Sequence, residues 1–122
     1  MGVTVGTSKT FGTDATITTA AYGALSAEVQ VPDGAQYANV QLYFTAHATG
    51  AGTVTAYIRG SLDGTKYSMV GIPIAHVITA NVANVANISE IKVAGMCKLK
   101  AIIYNADAAQ SITLANVIVT FW

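Results

Sequence analysis

Charge is what this chain has least of. Only 10% of its 122 residues are Asp, Glu, Lys or Arg, six of each sign, so the net charge is zero. A soluble domain ordinarily carries about a quarter charged residues. Neither sign clusters, which leaves no electrostatic footprint for nucleic acid or an anionic membrane. Cysteine is nearly absent too: Cys97 stands alone and cannot close an internal disulfide. Its alternation with Leu99, Ala101 and Ile103 places it on an expected core face as an inert thiol. No apolar run approaches the roughly eighteen residues of a membrane helix, and no basic stretch leads an apolar one at the start. A soluble chain without an export signal is therefore expected. Met1-Gly2 fails as a myristoylation start because Gly6 stands where Ser or Thr is needed. Asn87-Ile88-Ser89 fits a glycosylation sequon only formally.

Residues for chemistry are scarce as well. His47 and His76 are the only histidines, in separate segments, with no second cysteine for a zinc site and no Asp-x-Asp calcium loop. The acids Asp14, Glu28, Asp33, Asp63, Glu90 and Asp107 are scattered, several of them in turn-like stretches where Asp bonds the local backbone. No Gly-Lys-Ser/Thr follows a glycine cluster, so a phosphate loop is missing. The expectation is a non-enzyme with no catalytic residue, no metal and no cofactor.

Hydrophobic alternation is plentiful. Hydrophobic residues make up 52% of the chain. Period-two runs predict strands near 15–19, 25–31, 37–47, 53–62, 65–70, 74–79, 88–94, 96–104 and 111–121. Pro32-Asp33-Gly34, Ala48 to Gly52, Asp63-Gly64, Gly71 and Asn105-Ala106-Asp107 punctuate them. The best helical spacing, Ile78, Val82 and Val85, is β-branched and interrupted by asparagines, which argues against a helix. Eight or nine short strands with regular turns imply an all-β antiparallel sandwich or barrel, with a jelly roll as one way to wire it. Residues 15–122 are expected to form that single domain. Residues 1–14, rich in Gly, Thr and Ser with Val3, Val5 and Phe11 as apolar anchors, read as a docking arm.

The strongest local signal is Asp63-Gly64 between alternating runs, the mark of a two-residue type I′ hairpin. That register opposes Leu62 to Thr65, Gly60 to Tyr67 and Ile58 to Met69, and makes Gly60 the space for the Tyr67 ring. Gly60, Asp63, Gly64 and Tyr67 are thus the expected structural turn. In the strand before the turn, 53–62, Val54, Ala56 and Ile58 face inward. The terminal strand, Val117-Ile118-Val119 running into Phe121-Trp122, is apolar on both faces, so it is either central or covered by another subunit. Val117, Val119, Phe121 and Trp122 join Val3, Val5 and Phe11 as candidate interface residues. The three-residue repeat over Asn81 to Ser89 is too short for a solenoid and reads as an extended connection. Tyr22, Tyr37, Tyr43, Tyr57, Tyr104 and Trp122 include rings suited to stacking on a sugar.

The run Val54-Thr55-Ala56-Tyr57-Ile58-Arg59-Gly60-Ser61-Leu62-Asp63-Gly64-Thr65-Lys66-Tyr67 resembles a hairpin of small β-sandwich virion proteins of tailed bacteriophages. In those a Ser-Leu-Asp-Gly turn is followed, three residues after the glycine, by an aromatic residue; Tyr67 takes that place where Trp is more usual. Cys97 to Ala106 with the strand after it resembles their closing hairpin. The resemblance covers less than half of the chain. It implies a virion protein of the capsid decoration or cement type, located in the virion after assembly in a host cytoplasm. Its implied partners are a major capsid protein and further copies of itself, with a trimer as the expected homo-oligomer. Two other readings stand beside it: a carbohydrate-binding sandwich module, and a head-tail or tail component.

Overall fold

The computed structural model describes residues 8–24, 28–69, 71–79, 83–85 and 89–122. Ten strands run through them: β1 (Ser8–Ile17), β2 (Ala21–Tyr22), β3 (Val29–Gln30), β4 (Tyr37–Ala46), β5 (Thr53–Ser61), β6 (Ile72–Val77), β7 (Ala83–Val85), β8 (Ser89–Lys92), β9 (Lys98–Asn105) and β10 (Ile112–Phe121). All pairings between them are antiparallel. One sheet is ordered β1-β10-β4, with β7 and β8 sharing the far edge of β4. The other is β9-β5-β6, with β2 and β3 sharing the outer edge of β9. The chain changes sheet after β1, β3, β4, β6, β8 and β9, which is the crossing pattern of a jelly roll. The expected all-β sandwich is what forms.

Alternation explains the long strands. β4 and β9 bury every second residue along their whole length, so Ala38, Val40, Leu42, Phe44 and Ala46 face Leu99, Ala101 and Ile103 through a common core. Val54, Ala56 and Ile58 point inward from β5 as expected. Phe11, Phe44 and Phe121 are its largest fully buried side chains. Each contributes on the order of 1.5–3 kcal/mol by leaving water.

Several expectations need correction. Ser8 to Asp14, expected within an arm, are the first part of β1, and Ser8 pairs with Thr120 and Lys9 with Val119. Their weak hydrophobic pattern is that of an edge strand, in which Phe11 alone reaches the core and a register shift between Thr10 and Thr13 accommodates Gly12 at φ 102°. Val3 and Val5 lie outside the described residues. No strand forms over 65–69, and Ile58 pairs with Ile72 rather than Met69. β2 and β7 escaped the sequence reading because two or three residues hold too little alternation to register. β7 lies inside the expected extended connection, whose residues 81–82 and 86–88 are outside the described ones.

Candidate functional site

The Asp63-Gly64 segment shows why the short hairpin does not close. Asp63 Oδ1 accepts hydrogen bonds from Thr65 N–H at 2.8 Å, from Lys66 N–H at 2.8 Å and from the Ser61 hydroxyl at 3.1 Å. Gly64 N–H donates to Ser61 Oγ at 2.9 Å, with Gly64 at φ 79°. Side-chain bonds to the following amides compete with the ladder and turn the chain into a broad loop. Those two amide donors, Lys66 first, hold the Asp63 carboxyl below the usual carboxylate range. Gly60 does make room for a neighbour, but the neighbour is Met96: a Cβ on Gly60 would lie 2.5 Å from Met96 Sδ.

Tyr67 is carried away from β5 and across to β9. Its hydroxyl donates to Glu28 Oε2, and Lys100 Nζ sits 4.6 Å from the ring centroid. Lys98 Nζ lies 3.9 Å from Glu28 Oε1. Burial first, then the hydrogen bond to the carboxylate, pushes the Tyr67 phenol up to about 12. The same hydrogen bond is the main reason the Glu28 carboxyl sits low. Of the expected turn residues, Tyr67 thus reaches the outer face of the second sheet, where it meets Glu28 and Lys100.

Part of that face is aromatic. Tyr22 and Tyr104 are register partners with ring centroids 4.6 Å apart. Tyr57, with Tyr22, Arg59, Met69 and Gly71, lines a concavity of about 300 Å³. Gly71 allows the chain to cross Tyr57 closely, since a Cβ there would lie 2.7 Å from Tyr57 Cβ. No periodic pattern marks Gly71, and only its turn-like character drew notice in the sequence.

The first sheet presents a different outer face. β4 and β10 hold no Asp, Glu, Lys or Arg, and their outward positions carry Tyr37, Asn39, Gln41, Tyr43, Asn116, Ile118 and Thr120. Ile118 pairs with Gln41 and Thr120 with Asn39 across the centre of the face. Trp122 stacks on Tyr37 at 5.1 Å between centroids and is 40% exposed. The candidate interface residues Phe11, Val117, Val119 and Phe121 are buried in the core instead. β10 is apolar on both faces because it is central, between β1 and β4. The outward-facing residues of the central part of that strand are Asn116, Ile118 and Thr120.

At the far end, Asn105 and Asp107 tie the loops together. Asp107 accepts from Ala51 N–H at 2.9 Å, Ala109 N–H at 2.8 Å and Gln110 N–H at 3.1 Å. Those donors, Ala51 first, lower its carboxyl. The buried Asn105 amide donates to the carbonyls of Thr18 at 3.1 Å and Gln110 at 3.0 Å. His47 and His76 are apart in use: His47 Nδ1 accepts from Thr49 N–H at 3.1 Å, while the His76 ring meets Phe44 edge-on at 5.8 Å. Cys97 is half-buried, more open than its strand alternation suggested. Among the described residues no group of three His, Cys, Asp or Glu is placed to hold a metal ion, and no helix is long and apolar enough to cross a membrane.

No family model and no curated protein matches the chain. Solved structures do. The T13 particle of infectious bursal disease virus contains a chain that aligns at a TM-score of 0.62 and 12% identity, over 93% of this chain and 30% of that one. The VP2 subviral particle of the same virus gives 0.61 and 12%, over 93% and 31%. The CBM22-1 and GH10 modules of Clostridium thermocellum endo-1,4-β-D-xylanase 10B, complexed with xylohexaose, give 0.56 and 14%, over 80% and 19%. What they share with this chain is the fold. The chain spans less than a third of each of these larger proteins.

Proposed function

We propose that this protein is a non-enzymatic structural component of a virion, a capsid decoration or cement protein of a tailed bacteriophage. The observation that carries the reading is the uncharged outer face of β4 and β10, lined by amides, hydroxyls and Ile118. Covering such a face desolvates no charge, and its hydroxyl and amide groups can exchange water for partner hydrogen bonds. The likeness in fold to a chain of a viral particle and the resemblance of the Ser61-to-Tyr67 segment to phage sandwich proteins point the same way. In this role the protein clamps neighbouring subunits of a major capsid protein, as a symmetric homo-oligomer that multiplies weak contacts.

The test uses capsids of the encoding virus that lack this protein. Added protein should co-sediment with them and raise the temperature at which the shells disrupt. Ile118→Lys and Gln41→Lys place charge at the centre of the face and should abolish both effects without altering the circular dichroism spectrum. Unchanged binding by both variants would remove the face from the reading, and failure of the parent protein to bind would remove the reading itself.

A second reading, carbohydrate binding, is favoured by one observation: the concavity between Tyr22, Tyr57 and Arg59 beside the Tyr22 and Tyr104 ring pair. Rings with polar tips and a guanidinium suit a sugar's apolar face and hydroxyls. A glycan that raises the melting temperature of the parent protein but not of Tyr22→Ala would support it; silence across a broad panel would dismiss it.

A further inference from the structure

Exposed apolar side chains are unevenly distributed over this molecule. Seven large ones are exposed among the described residues, and four of them, Leu62, Met69, Ile72 and Val77, fall within one stretch of sixteen positions that ends in β6. Met69 and Val77 are 89% and 71% exposed. Among the described residues β6 is an edge strand, paired with β5 on one side only. Edge strands are normally blunted by charge, proline, bulges or brevity. β1 carries Lys9, Asp14 and a bulge, and β8 carries Glu90 and Lys92, but β6, six residues long, has no Asp, Glu, Lys or Arg and only Pro73 near its start.

The direction of its free backbone groups follows from the register. Ile78 N–H donates to the Gly52 carbonyl at 2.9 Å, and Thr53 stands opposite Val77. Antiparallel ladders alternate, so Ile72, Ile74 and His76 turn their N–H and C=O groups toward β5, while Pro73, Ala75 and Val77 turn theirs to the open edge. Pro73 sits where its missing N–H removes nothing from the β5 ladder. The edge therefore offers two donors, at Ala75 and Val77, and acceptors at all three residues.

We propose that this edge pairs antiparallel with β6 of a second copy, about a two-fold axis at Ala75. In that register each Ala75 N–H meets the partner's Ala75 carbonyl, and each Val77 N–H meets the partner's Pro73 carbonyl. The proline thus stands where only its acceptor is needed by the opposing donor, leaving one Val77 carbonyl per copy at the rim. A register centred on Pro73 would face two prolines, and one centred on His76 would set Pro73 against Thr79, whose N–H already donates to Asn84 Oδ1 at 2.9 Å. Val77 lies against the partner's Pro73 on the outer face, Ile74 against the partner's His76 on the inner. The second sheets of the two copies become one continuous sheet, an isologous contact that gives even-numbered assemblies rather than the trimer expected from the sequence. This pairing does not depend on the capsid reading.

Sedimentation velocity at tens of micromolar tests it with the full chain. The parent protein should run as a dimer. Ala75→Lys sets like charges facing each other at the axis and should weaken association by at least roughly tenfold, with the circular dichroism spectrum unchanged, because the side chain at this position is exposed. An equimolar mixture of Ala75→Lys and Ala75→Asp should recover the dimer. Ala75→Pro, which removes only an outward N–H as Pro73 already does, should also give monomer. A parent protein that is monomeric or trimeric overturns the proposal, as does an Ala75→Lys protein that still dimerises or a mixture that does not. A dimer that ignores capsids leaves the pairing standing and removes only the capsid role.

Discussion

Tyr67 and Glu28 are 39 positions apart in sequence, yet the tyrosine hydroxyl donates to the glutamate carboxylate across the face of β9. That bond fastens the long loop after β5 to the segment leading into β3, with Lys100 stacked over the ring.

Its pH dependence has a definite sign. The Tyr67 phenol is raised from 10.0 to about 12, so its contribution to stability is complete below pH 10 and is lost as pH rises toward 12. Glu28 is lowered from 4.5, so its contribution holds above that value and fades as pH falls through the folded-state pKa. An ultraviolet titration should show a Tyr67 transition near pH 12, absent from Tyr67→Phe. In Glu28→Gln it should move down yet stay above 10.0, because burial, the larger cause, remains. A transition unmoved by Glu28→Gln would contradict the hydrogen bond.

Phe11 distinguishes an edge strand from an arm. Fully buried beneath β1, it should destabilise the sandwich by about 3–5 kcal/mol on change to alanine. Urea unfolding followed by Trp122 fluorescence measures this. An effect below about 1 kcal/mol would return residues 8–14 to the arm expected from sequence.

The legible part of the fold is the part with long alternation. β4, β5, β9 and β10 could be read nearly to their ends because β4 and β9 bury every second side chain along their whole length, while β5 does so from Thr53 to Ile58 and β10 from Ala115 to Phe121. β1 could not, since Thr, Ser, Lys and Gly face solvent along most of it and Phe11 is its sole large apolar residue before Ile17. The Asp63-Gly64 cue was right about a turn and wrong about its width, because three hydrogen bonds to one carboxylate oxygen outweighed the two-residue geometry. Of the aromatic face, the residue types were visible; which rings meet depends on pairing between β2, β9 and β5, which no local pattern encodes.

The loop-tying pair at the far end makes a third prediction. Asn105→Ala strands the carbonyls of Thr18 and Gln110 and should lower stability by about 1–3 kcal/mol. Asp107 is lowered from 3.8 by its amide donors, so it stabilises the fold above that pH and ceases to as pH falls through the folded-state value. Asp107→Asn should therefore be less stable than the parent at pH 7 and lose less on acidification. Parallel acid limbs for the two proteins would show that the carboxylate is not what holds the Ala51, Ala109 and Gln110 amides.

Two glycines with similar clashes should respond differently to the same methyl group. At Gly60 the added Cβ meets Met96 Sδ at 2.5 Å and Met96 Cε at 3.1 Å, the far end of a flexible side chain that is only partly buried. Met96 can swing aside, so Gly60→Ala should change stability by less than about 1 kcal/mol. At Gly71 the Cβ meets Tyr57 Cβ at 2.7 Å and Tyr57 Cα at 3.4 Å, atoms that move only with β5 itself. Gly71→Ala must push the chain off Tyr57, at about 1–3 kcal/mol, and open the concavity shared with Tyr22, Arg59 and Met69. Urea midpoints for the two variants settle the order. Equal midpoints would mean that the crossing over Tyr57 is looser than a 2.7 Å approach allows, and the concavity would lose its fixed wall.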